Sequence, residues 1–167
     1  MAYRNKTYVA FDGDSDIRYY HLMKAWRQRD SSLFNFHDAH DINNALDTST
    51  EETIKRRLRE RMMNSKVFVL LVGEKTRFLY RFVRWEIELA IKKDLPIIVV
   101  NLNNKRTIDR SLCPAIARDT LAIHVPFSSK IVQYALENWS KSHYTYKSEG
   151  KNVPYSYNDS VYKSLGM

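Results

Sequence analysis

Two glutamates on one stretch, Arg81-Phe82-Val83-Arg84-Trp85-Glu86-Ile87-Glu88, have unlike surroundings. Glu88 has Arg84 four residues before it and Lys92 four after, a solvated ion-pair ladder whose contribution is small. Glu86 has Phe82 and Val83 before it and Leu89 and Ala90 after it at helical spacing, with no cation among them. A carboxylate among apolar neighbours near the mouth of a sheet should titrate high, a trait of catalytic acids and bases. Spacing alone leaves Glu86 open between a catalytic and a structural role.

Three other clusters carry chemistry by residue type. Asp12-Gly13-Asp14 with Asp16 would suit a metal or a phosphoacceptor, and equally a tight turn followed by a helix cap. A receiver-type phosphoacceptor would want an aspartate after the third strand, where Gly73-Glu74 stands, and a hydroxyl residue where Asn101 ends the fourth. That reading is disfavoured. His37-Asp38-Ala39-His40-Asp41 contains metal-ligand types, but its spacing is not HExxH and no Cys or His cluster supports it. No metal is expected, and Asp38 and His40 read as part of a loop lining a polar pocket. The run Lys55-Arg56-Arg57-Leu58-Arg59 with Arg61, in a chain of net charge +8, could meet nucleic acid. Glu51, Glu52 and Glu60 dilute it, so a solvated helix face is the simpler reading and nucleic acid is not the expected partner.

The elements that must position these residues follow from periodicity. Thr7–Phe11 is rich in β-formers and stops at Asp12-Gly13. Ile17 to Arg27 has helical spacing, Leu33–His37 reads as a second strand, and Asp38–Thr48 as a loop. Ser49-Thr50-Glu51-Glu52 resembles a capping box, opening a helix to about Met63 that buries Ile54, Leu58 and Met62. Val67–Val72 and Ile97–Val100 are apolar runs suited to strands covered on both faces. Between them, Tyr80 to Lys93 places Val83, Ile87, Ala90 and Ile91 on one stripe. Residues around Cys113-Pro114 look irregular, Ala122–Val125 is a fifth strand, and Lys130–Trp139 a last helix. The expected architecture is an α/β three-layer sandwich with a five-stranded, mainly parallel sheet. Its α/β domain spans 1–143, with a polar, tyrosine-rich, loop-like tail over 144–167 whose aromatics pack on the body or which extends from it.

In such sheets ligands bind at the carboxyl ends of the strands, so Phe11–Asp16, His37–Asp41, Gly73–Arg77 and Asn101–Asn104 should line the site. The four glycines are too scattered for a GxGxxG or GxxxxGK[ST] phosphate loop, and the single Cys113 excludes a disulfide framework. Residues 1–6 contain no apolar segment of the signal-peptide kind, and no apolar run approaches the ~20 residues of a membrane span. A cytoplasmic protein without a membrane partner is expected.

Val69-Leu70-Leu71-Val72-Gly73 followed by Arg81-Phe82-Val83-Arg84-Trp85-Glu86-Ile87 resembles the TIR-like domains of bacterial Thoeris anti-phage defence proteins. The first-strand ending Val9-Ala10-Phe11 with Asp16, and the strand Pro96-Ile97-Ile98, are also similar, so the resemblance runs from Tyr8 to Asn104. It implies a flavodoxin-like, TIR-like fold and cleavage of the nicotinamide–ribose bond of NAD⁺, in some members with release of a cyclic ADP-ribose-type signal. NAD⁺ would be a substrate, with no cofactor. The family's catalytic glutamate falls at Glu86, and its nucleotide-contacting loop matches Phe11, Asp12 and Gly13 in part. Asp16, Asp38, His40 and Gly73 complete the expected substrate site, and Phe11 or Trp85 would stack on nicotinamide or adenine. Self-association and a downstream effector that reads the nucleotide signal are the implied protein partners. The alternative is a catalytically silent TIR-like module that binds a nucleotide or a protein. The sharpest geometric expectation is one shared cleft, with Glu86 on one side and Phe11 walling the other.

Overall fold

The computed structural model describes residues 6–29, 36–37 and 50–167. Strand and helix alternate as β1 (Thr7–Ala10), α1 (Ile17–Arg29), β2 (Phe36–His37), α2 (Glu51–Met63) and β3 (Val67–Val72). A 3-10 turn (Thr76–Phe78) then precedes α3 (Val83–Lys92), β4 (Ile97–Asn101), α4 (Ala115–Arg118) and β5 (Ala122–Pro126). The chain continues through α5 (Ser129–Ser148), β6 (Pro154–Ser156) and α6 (Asp159–Ser164). All strand pairs are parallel, in the order β2-β1-β3-β4-β5-β6.

Every residue of β3 and β4 is buried, which is why their sequences are unbroken apolar runs rather than alternating ones. Alternate residues feed two cores. Tyr8, Ala10, Phe68, Leu70 and Val72 pack with Ile54, Leu58 and Met62 of α2, Val83, Ile87 and Ala90 of α3, and Ala117 of α4. Val9, Val69 and Leu71 pack on the other face with Tyr20, Met23 and Trp26 of α1, Ile131, Ala135 and Trp139 of α5, and Tyr162 of α6. The result is the α/β three-layer arrangement that the periodicity implies.

The five expected strands are joined by a sixth, drawn from the tyrosine-rich tail. That tail is not loop-like. The helical stripe that includes Trp139 continues through His143, so α5 runs to Ser148 and β6 then pairs with β5. Tyr146 stacks on Tyr155 with centroids 4.5 Å apart, both beside Trp139, and Tyr134 meets Tyr157 edge-on. At α2 the cap is Thr50, whose Oγ1 accepts from the Thr53 backbone N–H. The residue three positions on is Thr53, and Ser49, from which Glu52 stands three positions on in the expected capping box, lies outside the described residues. Glu51 and Glu52 still occupy the first turn, at the positive end of the helix. No described helix is long and apolar enough to cross a membrane.

Candidate functional site

Glu86 sits in the first turn of α3, at the inner border of the stripe Val83-Ile87-Ala90 that presses on the sheet. Only 3% of it is exposed. Its Oε2 accepts a 2.5 Å hydrogen bond from the hydroxyl of Tyr8, which reaches across from β1 and stacks on Phe68. Burial pushes the carboxyl from 4.5 up to about 7, against the opposing effect of the Tyr8 bond. Burial and the adjacent carboxylate in turn hold the Tyr8 phenol well above its ordinary value. Glu88 on the outer border is different: it pairs with Arg84 at 3.1 Å on the exposed face. The contrast between the two glutamates is thus a contrast of environment, set by their positions around one helix.

A second group gathers where β1 and β3 end. The Asp12 Oδ1 accepts from the backbone N–H of Asp14 and Ser15, and the Asp16 N–H bonds the Asp12 carbonyl. Asp12 therefore shapes the turn through Gly13 into α1, the structural alternative for this cluster. Asp16 is also buried, its Oδ2 has no hydrogen-bond partner, and burial raises its pKa with help from Asp12, opposed by Arg18. It lies against Gly73 so closely that a Cβ there would come within 2.4 Å of Oδ2. Gly73 is accordingly a close-approach glycine. Around them, a cavity of about 520 Å³ is lined by Asp16, Arg18, Gly73, Glu74, Lys75 and Asn103, among others. Chain connections leave β1 and β3 in opposite directions along the sheet, so this crevice is the topological switch point.

Among the described residues, Phe11 and Glu86 do not share the expected cleft; its wall from Asp38 to Asp41 lies outside the described residues. Along β1, Tyr8 and Ala10 face α2 and α3, whereas Val9 and Phe11 face α1. Phe11 stacks on Tyr20 of α1 at 4.8 Å, so it packs on the side of the sheet away from Tyr8 and the carboxylate it holds. Strand alternation, carried one residue past the end of β1, is the physical reason: Tyr8 and Phe11 are three positions apart, and an odd separation puts them on opposite faces. Trp85 turns toward α2, where Lys55 and Arg59 lie 5.5 and 5.7 Å from its ring centroid. Its ring is engaged by those cations rather than offered to a base. Asp38 and His40 lie outside the described residues. Among the described residues, no group of three or more His, Cys, Asp or Glu side chains is arranged to hold a metal ion. Tyr8, absent from the expected site, is the direct contact of Glu86. The available signal was its register: a tyrosine buried mid-strand needs a partner for its hydroxyl.

A parallel sheet with a β1/β3 switch point, helices on both faces and a buried carboxylate on the helix after the third strand place the chain among flavodoxin-like, TIR-like α/β domains. The family model described as Thoeris protein ThsB, TIR-like domain, matches residues 8–107. That span runs from β1 past β4, takes in Tyr8, Asp16, Gly73 and Glu86, and covers more than half of the chain. The chain belongs to this family, as a defence-related TIR-like module.

Proposed function

We propose that the protein cleaves the nicotinamide–ribose bond of NAD⁺, with Glu86 as the catalytic carboxylate. The observation that carries this reading is the Tyr8–Glu86 pair: a buried carboxylate bonded to a neutral hydroxyl at 2.5 Å and pushed up to about 7. Departure of nicotinamide leaves positive charge on the ribose C1′ and its ring oxygen, in an oxocarbenium-like transition state. An ionised Glu86 in a water-poor site would stabilise that charge, and the Tyr8 hydroxyl would keep the carboxylate oriented and favour its ionised form. Transfer of C1′ to water gives ADP-ribose; transfer to another atom of the same nucleotide gives a cyclic ADP-ribose-type product, a diffusible signal for an effector protein. The switch-point crevice at Asp16 and Gly73 offers carboxylate acceptors for hydroxyls, and Arg18 and Lys75 for phosphate.

Incubation of the purified protein with NAD⁺, with nicotinamide and ribosyl products resolved by chromatography, tests the reading. Release of nicotinamide by the parent, reduced by about a hundredfold or more in Glu86→Gln and retained in Glu88→Gln, is the expected pattern. Turnover by Glu86→Gln within a few-fold of the parent would sink the assignment. The 3% exposure of Glu86 favours one second reading, a catalytically silent module in which the pair is purely structural. On that reading NAD⁺ or a nucleotide binds without release of nicotinamide, whatever residue stands at 86.

A further inference from the structure

On the flank of α3 lies a cavity of about 630 Å³, bounded by the 3-10 turn, the start of α3 and α4. Its volume is that of a single small-molecule site. Its walls are apolar, from Leu79, Val83, Pro114 and Ile116, and its polar groups are dominated by three arginines, Arg77, Arg84 and Arg118. No carboxylate is among its lining residues.

Each arginine is steadied by at least one contact and keeps further N–H groups to give. Arg118 Nε donates to the Cys113 carbonyl at 3.0 Å, Arg77 Nη1 donates to the Ser111 carbonyl, and Arg84 Nε pairs with Glu88. Two lining rings are unusually open for their type: Phe78 is 56% exposed and Tyr80 is 66% exposed. Arg77 lies over the Phe78 ring at 4.6 Å, so cation and aromatic already stand together at this wall. The first turn of α3 adds the positive end of a helix dipole, and its cap residue Phe82 supplies no side-chain acceptor. Planar guanidinium groups suit a phosphate or carboxylate, while exposed rings and an apolar floor suit a flat body.

We propose that this cavity binds an aromatic anion: a flat, largely apolar ring system carrying a phosphate or a carboxylate. The charge is met by Arg84 and Arg118, and the ring by Tyr80 and the floor of Val83 and Ile116. This site is separate from the Glu86 carboxylate, whose contact is Tyr8 on the sheet. It therefore does not depend on whether NAD⁺ is cleaved.

Calorimetric titration of the full chain tests the proposal with three probes: adenosine 5′-monophosphate, 1-naphthoate and adenosine. At least one anion is expected to bind, at least tenfold more tightly than neutral adenosine, and to weaken as salt rises. Binding of the nucleotide alone marks phosphate as the preferred group, and of naphthoate alone carboxylate. Arg118→Gln should weaken the preferred anion at least tenfold. Because Arg118 also holds the Cys113 carbonyl, Tyr80→Ala supplies a reading in a variant whose altered side chain is mostly exposed, with an expected loss of several-fold. Glu86→Gln should leave the affinity unchanged. The proposal is overturned if neither anion binds at millimolar concentration, if adenosine binds as well as the anions, or if Tyr80→Ala binds like the parent. Loss of binding in Glu86→Gln would equally overturn it, by moving the ligand to the other site.

Discussion

Glu86→Gln removes a charge while keeping the shape of the side chain, so it isolates what this carboxylate does to the fold. Burial raises the carboxyl from 4.5 to about 7. At about 1.4 kcal/mol per pH unit, that separates its charged and neutral forms by about 3 kcal/mol. Between those two pH values the folded chain keeps a proton that the unfolded chain has released. Stability is therefore fully present below 4.5 and is lost as pH rises through about 7. Glutamine has no such proton to lose, and its amide oxygen can still accept from the Tyr8 hydroxyl. The variant should lie close to the parent at about pH 4 and exceed it by about 3 kcal/mol at about pH 8. Urea unfolding at both pH values measures this directly, provided the two proteins share one m-value. A gap between parent and variant that fails to widen from the lower to the higher pH would refute the argument, because it would mean that the carboxylate is solvated. The outcome is independent of any enzymatic turnover, so it examines the buried carboxylate alone.

Four other substitutions probe the same architecture. Tyr8→Phe removes the bond that lowers Glu86, so the carboxyl should rise further and the acidic limb of any NAD⁺-cleavage profile should move to higher pH; an unmoved limb would show that the hydroxyl does not hold the ionised form. Gly73→Ala drives a Cβ into the Asp16 carboxyl and should cost about 1–3 kcal/mol in urea unfolding. Pairing it with Asp16→Ala vacates that space, so the double variant should lose less than the two single losses combined; strict additivity would contradict the close approach. Asp109 accepts bonds from the Ser111 hydroxyl and backbone, the Leu112 backbone and Asn103, and these with Lys105 hold its carboxyl far below the usual carboxylate range. Its contribution is present above 3.8 and fades as pH falls below that value, so Asp109→Ala should cost about 2 kcal/mol near neutrality and progressively less in acid, as followed by thermal melts.

The layers of the fold were legible because β3 and β4 are short apolar runs bounded by helical periods, a pattern that burial on both faces enforces. Glu86 stood out for the same kind of reason: the absence of a cation at helical spacing is a local fact, and local facts survive folding. Its Tyr8 partner lies 78 residues away in sequence, and no spacing rule connects a strand to a helix at that range. The placement of Phe11 is more instructive. Alternation along β1 contains the information that Tyr8 and Phe11 face opposite ways, but using it requires knowing that Tyr8 is the residue Glu86 meets. The tail reads as a loop in the sequence because β6 has only three residues, too few to display a period, and because the buried stripe of α5 extends past Trp139 only through His143 and the partly buried Tyr146.

That short strand has a consequence for how the chain survives its own synthesis. β5 is buried at all five positions and carries Ala122, Ile123 and Val125, so without a neighbour it would present an apolar flank with unpaired backbone groups. Such a flank is a template on which another chain can add a strand. Here it is closed by residues 154–156, which leave the ribosome only after the whole of α5, with Asn152 Oδ1 accepting the Leu121 N–H just before the pairing begins. Until then the body of the sheet is complete and its edge is adhesive. A cut or premature stop between Ser148 and Pro154 would leave Glu86 and both cavities in place, yet turn the domain into a seed for intermolecular strand addition.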